Sequence, residues 1–129
     1  MVTDPISDLI IRLQNASRAG KATMSLPYSN MKHAIAEVLA KEGYVADIDK
    51  KSKKGGSLSL TLAYKNGKPV VSGVKRISKP TRRMYLGVRD VKPVKRGHGL
   101  LVLSTPEGVM SGRDAHNKHV GGEALFEIW

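Results

Sequence analysis

An α+β fold is predicted, in two small subdomains. One is an N-terminal α-β-α-β-β unit over residues 1–66, and the other a mainly antiparallel β unit with one short helix over residues 67–129. Three observations predict it. Apolar residues recur with a helical period twice before Gly43. After Gly43 the period changes to two. Beyond the Asn66-Gly67 turn signal, short strand-like runs dominate, interrupted by a single helical stretch.

Asp4 followed by Pro5 reads as an N-cap with proline at the first helical position, where a missing N–H costs nothing. Ile6, Leu9, Ile10 and Leu13 then recur at i, i+3, i+4 and i+7 as one apolar helical face, and Gly20 ends its possible extent. Thr23 to Tyr28 suits a short strand stopped by Pro27. Ser29 caps a second helix, whose Met31, Ile35, Val38 and Leu39 are expected to face inward, with Gly43 as its stop. Tyr44, Ala46 and Ile48 next alternate with Val45, Asp47 and Asp49, the pattern of two strand faces. After a polar turn from Lys50 to Gly56, Leu58, Leu60 and Leu62 alternate with Ser57, Ser59 and Thr61. The pair reads as a half-buried antiparallel hairpin.

In the second half, Val70 to Ile77 and Arg83 to Leu86 read as strands flanking a Ser78-Lys79-Pro80 turn. Leu100 to Leu103 is a buried strand, followed by a turn from Ser104 to Gly108 and the apolar pair Val109-Met110. Ser111 and Asp114 have capping-box spacing and open a short helix through about Lys118. Gly121-Gly122 leads into a last strand, Ala124 to Trp129.

Charge points to a partner. Lys and Arg number 22 against 11 Asp and Glu, a net +11. Residues 50–96 hold 15 of the basic side chains and one acid, Asp90. So concentrated an excess repels itself and implies a polyanion. Neither predicted helix is basic and amphipathic, which favours nucleic acid over a membrane surface. The absence of Cys excludes disulfides, thiolate zinc sites and cysteine nucleophiles. Apolar runs fall far short of the ~20 residues that cross a bilayer. Asp4 and Asp8 stand where a signal peptide would be basic and then apolar, so a soluble protein of a reducing compartment is expected. There is no phosphate-binding G-x-x-x-x-G-K-[ST] loop and no G-x-S-x-G elbow, and Gly97-His98-Gly99 lacks the third glycine of a dinucleotide site. His116 and His119, three apart, suit a solvated helix face better than a metal. No enzymatic activity, cofactor or metal is expected.

Arg82-Arg83-Met84-Tyr85 joins cationic groups to an aromatic ring, the combination that holds a phosphate and stacks an exposed base. Ser104-Thr105 ends a buried strand before a glycine turn and would offer two hydroxyls to bases, sugars or a 2′-OH.

The run from Gly99 through Leu103-Ser104-Thr105-Pro106-Glu107-Gly108 to Ala115, continuing to Val120-Gly121-Gly122-Glu123, resembles the signature of ribosomal small-subunit protein eight, bacterial type. Thr3-Asp4-Pro5-Ile6-Ser7-Asp8 with Arg12 and Asn15 is similar to the family's first helix. Pro27, Ser29, Lys32 and His33 are similar to the start of its second, and Arg76 through Tyr85 to its central basic strand. The resemblance implies a two-domain cytoplasmic protein of the ribosome that binds the central domain of small-subunit rRNA and supports assembly. Its implied partners are that rRNA, neighbouring small-subunit proteins and, in some bacteria, its own messenger RNA, with no membrane. It also implies a main RNA site of Tyr85, Ser104, Thr105, Gly121, Gly122 and Glu123, with the glycines giving RNA close access to the backbone and Glu123 accepting from base donors. Arg82 and Arg83 join this site, and Asn15, Ser29 and Lys32 are secondary positions. Pro106, Glu107, Gln14 and Gly112 stand where the family usually has Ser, Lys, Arg and Asp.

Overall fold

Helix α1 (Pro5–Arg18) buries Ile6, Leu9, Ile10 and Leu13, the face its period predicts. The computed structural model describes residues 4–51, 56–90 and 99–129. Within them the chain forms two units, Pro5–Ser72 and Gly73–Trp129, Asp4 counting with the second. No described helix is long and apolar enough to cross a membrane.

In the first unit, β1 (Thr23–Pro27), β2 (Val45–Lys51) and β3 (Ser57–Leu62) form an antiparallel sheet in the order β1-β3-β2. Met24 lies opposite Leu60 and Leu26 opposite Leu58, so one face is continuously apolar. Helix α1 packs on β1, and helix α2 (Asn30–Lys41) packs on β2. The other face is polar, with the Ser25 and Ser59 hydroxyls 2.9 Å apart across the strands. Ser29 caps α2 by accepting from the Lys32 N–H at 3.1 Å.

Two expectations about this unit are corrected. Met31 is exposed and Lys32 buried, because the Lys32 ammonium donates to Asp8 of α1 and to the Pro27 carbonyl, both at 3.3 Å. An apolar stem with a satisfied head packs as well as a methionine does. In β2, Val45 is buried and Ala46 exposed, the reverse of strict alternation. A bulge between Val45 and Asp47 inserts one residue and resets the parity, leaving Ile48 half-buried.

The Asn66-Gly67 turn closes a small hairpin of β4 (Tyr64–Lys65) and β5 (Lys68–Pro69). Both turn residues have positive φ, 54° and 77°, the backbone a two-residue hairpin needs. This turn lies inside the first unit, and the chain divides between Ser72 and Gly73.

The second unit has β6 (Val74–Arg76), β7 (Tyr85–Leu86), β8 (Leu100–Thr105), β9 (Gly108–Ser111), α3 (Gly112–Asn117) and β10 (Gly122–Ile128). The predicted strand over 70–77 is therefore shorter, confined to β6 and preceded by β5. The sheet runs β6-β10-β8-β9, with β7 also on β10. One edge of β10 takes β6 at Phe126–Ile128 and β7 at Gly122–Glu123, while the other takes β8. A bulge between Ala124 and Phe126 explains why Ala124, Leu125 and Phe126 are all buried. The Leu125 carbonyl there accepts from the Arg76 guanidinium at 2.6 Å, and Arg76 also grips both oxygens of Asp4. Leu101, Leu103, Met110, Ala115 and Ala124 form a core with α3 over the sheet. Ser111 caps α3, accepting from the Asp114 N–H at 3.1 Å.

Candidate nucleic-acid interface

Register brings three candidate residues of the second unit into one row. Glu123 of β10 lies opposite Tyr85 of β7 on one side and Ser104 of β8 on the other. Residues directly paired across antiparallel strands project from the same face. Their neighbours Ala124 and Leu103 enter the α3 core, so Tyr85, Glu123 and Ser104 stand on the opposite face. Tyr85 is 70% exposed, while the largest core side chains of this sheet are sealed. An exposed aromatic face on a strand is chemically suited to stacking against a flat base.

Arg82 and Arg83 emerge from a tight turn in which Lys79 and Arg82 exchange main-chain hydrogen bonds at 2.9 and 3.0 Å. Both are exposed. Arg83 precedes Tyr85 by two residues, shares its face, and donates to Glu123 Oε2 at 2.9 Å. The buried Ser78 hydroxyl donates to the same oxygen. Burial pushes the Glu123 carboxyl up, but the Ser78 and Arg83 hydrogen bonds and the charges of Arg83 and Arg76 outweigh it. The group sits below its ordinary value. It is therefore an ionised acceptor held at one oxygen.

The two hydroxyls of the β8–β9 hairpin differ. Thr105 donates to the Gly108 carbonyl at 2.8 Å and accepts from the Glu107 N–H at 3.1 Å, so its proton serves the turn. Ser104 is half-buried and has no such partner among the described residues. Pro106 and Glu107 occupy the exposed tip of that turn.

Gly121 and Gly122 owe their identity to the protein's own backbone. A Cβ on Gly122 would collide with the Ser104 carbonyl oxygen, and one on Gly121 with the Leu86 carbonyl oxygen. This close approach seats β7 and β8 against β10.

In the first unit, Asn15 is exposed in a shallow groove lined also by Arg12, Lys21 and Ser25. Ser29 is committed to capping and Lys32 to Asp8 and Pro27. The Arg12 hydrogen bond holds the Asp8 carboxyl below its ordinary value against opposing burial, with Lys32 adding to it. Of the predicted basic segment, Lys53, Lys54, Lys92, Lys95 and Arg96 lie outside the described residues. His116 and His119 are exposed, and among the described residues no cluster of three His, Asp or Glu forms a metal site. Sequence reading missed Ser78 altogether. Its only local signal is a serine between Ile77 and the Lys79-Pro80 turn, whereas its partner lies at Glu123.

Comparison with known proteins places relatives along the whole chain. The model of the family described as Ribosomal protein S8 matches residues 4–129. The small ribosomal subunit protein uS8 of Nitratidesulfovibrio vulgaris (strain DP4) is 48% identical over 129 residues, covering all of both chains. That of Desulfovibrio desulfuricans is 46% identical, also over both full lengths. That of Roseiflexus castenholzii is 44% identical over 130 residues, spanning 99% of this chain and 98% of its own. With the family pattern met from Asp4 to Trp129 and full-length relatives up to 48% identical, the chain belongs to the ribosomal protein S8 family.

Proposed function

We propose that the chain is a structural, non-enzymatic component of the small ribosomal subunit that binds the central domain of small-subunit rRNA directly and supports subunit assembly. Its C-terminal unit carries the main contact. The observation behind this reading is the row Tyr85–Glu123–Ser104, which sets a stacking ring, an ionised acceptor and a hydroxyl side by side on one exposed face. Arg82 and Arg83 at one end of it supply phosphate-binding charge. Thr105, Gly121 and Gly122 shape this surface, and Asn15, with Arg12 and Lys21 beside it, offers a secondary contact. Neighbouring small-subunit proteins and its own messenger RNA are the further partners of this reading.

Filter binding of the full chain to a central-domain rRNA fragment tests it, with unrelated duplex RNA of equal length as control. The fragment should bind more tightly, and affinity should fall with salt at a log–log slope of about 0.7–0.9 per phosphate contact. Equal affinity for both RNAs would reject specific recognition, and a flat salt response would reject the electrostatic part. Competition by the chain's own messenger RNA asks in the same assay whether that RNA shares the site.

A further inference from the structure

Ser78 is fully buried, at 0% exposure, yet sits directly behind the exposed row. Its hydroxyl donates to Glu123 Oε2 and accepts from the Met84 N–H at 3.1 Å. Its main-chain N–H donates to the Ala124 carbonyl at 3.0 Å, and the Ala124 N–H donates to the Met84 carbonyl at 2.8 Å. These bonds close a ring through Ser78, Met84, Ala124 and Glu123. The ring fixes β7 just before Tyr85 and fixes the Glu123 side chain, both with reference to one oxygen atom.

A serine hydroxyl has one proton, and here it goes to a carboxylate, which makes the bond charge-assisted and strong. The one other described partner of that carboxylate is Arg83, whose side chain is 50% exposed. A phosphate arriving at the surface competes for an exposed guanidinium. It cannot reach a buried hydroxyl. With Arg83 drawn to phosphate, Ser78 still holds Oε2, and Oε1, which takes no hydrogen bond among the described residues, is left to accept another.

We infer that Ser78 is a positioning residue for RNA recognition: it presents the Tyr85 ring and the free oxygen of Glu123 in one fixed relation, without touching RNA itself. This inference rests on the proposed RNA-binding role of the row. Alanine would keep the Cβ but lose the hydroxyl, which would orphan the Met84 N–H and leave Glu123 to Arg83 alone.

The test compares the full chain, Ser78→Ala, Glu123→Ala and the double variant for binding to the central-domain rRNA fragment and to unrelated duplex RNA. Ser78→Ala should weaken binding to the fragment roughly ten-fold, the scale of one lost charged hydrogen bond, and spare the unrelated duplex. Added to Glu123→Ala, it should cost much less, because the two residues act as a unit. Carboxyl NMR should show the Glu123 titration moving to higher pH in Ser78→Ala, a change that loss of packing would not produce. If Ser78→Ala does not fold, Ser78→Cys, of similar size and a weaker donor, decides by the same comparisons. Wild-type affinity in the folded variant, equal loss on both RNAs, or full additivity with Glu123→Ala would overturn the inference. A wild-type chain that does not prefer the fragment would overturn the RNA-binding reading itself, and this inference with it.

Discussion

Gly122 lies so close to the main-chain carbonyl of Ser104 that no side chain fits between them. Substituting Gly122→Ala should therefore separate β10 from β8, at a cost of about 1–3 kcal/mol from overpacking. Thermal denaturation followed by circular dichroism should show a melting temperature several degrees lower. Unchanged stability would mean that the two strands have room to part.

Tyr85 separates binding from folding. The residue is 70% exposed, so Tyr85→Ala should leave the melting temperature unchanged. Binding to the rRNA fragment should weaken by about 1–3 kcal/mol, the usual cost of removing one stacking platform. Tyr85→Phe keeps the ring and should keep the affinity. Equal affinity of the alanine variant would assign the exposed ring no part in recognition.

Adjacent hydroxyls should behave differently. Thr105 spends its proton on Gly108, so Thr105→Val should lower stability by about 1 kcal/mol and affect both RNAs alike. Ser104→Ala should leave stability nearly unchanged and weaken the rRNA fragment selectively. The reverse pattern would place the RNA-facing hydroxyl at Thr105.

Acid should loosen the second unit through Glu123. Its folded carboxyl titrates below the ordinary 4.5, so between those two values the unfolded chain carries more protons than the folded one. Stability from this group is present above 4.5 and is lost as pH falls through the lowered folded value. Asp8, lowered from 3.8, acts in the same direction in the first unit. Denaturation across this range should show a shallower acid loss for Glu123→Gln than for wild type. Identical profiles would show that Glu123 contributes nothing to the acid limb.

Local periodicity makes most elements legible in the sequence. The spacing from Ile6 to Leu13, the Leu58–Leu62 alternation and the Ser29 and Ser111 caps all depend on neighbours within a few residues. Where the reading failed, the cause lies elsewhere in the chain. Ala46 is exposed because of a bulge set by pairing with β3, and Lys32 is buried because Asp8 waits for it on α1. The candidate row was legible as residue types, through resemblance, but not as a row. Only strand register shows that Tyr85, Glu123 and Ser104 are neighbours. The Ser78 link spans a sequence separation of 45 residues and leaves no periodic trace.

The double pairing of β10 has a consequence for the order of events during translation. Among the described residues, strands β6 and β7 are linked by pairing to β8 and β9 only through β10, which is synthesised after all of them. A nascent chain that has not yet reached Gly122 holds these strands without the one that, among the described residues, pairs with both sets. Trp129 then closes the structure by exchanging main-chain hydrogen bonds with Gly73, both at 3.0 Å. The row Tyr85–Glu123–Ser104 thus gains its central member only when β10 is made, and a nascent chain short of Glu123 has Tyr85 and Ser104 without the residue that pairs with both.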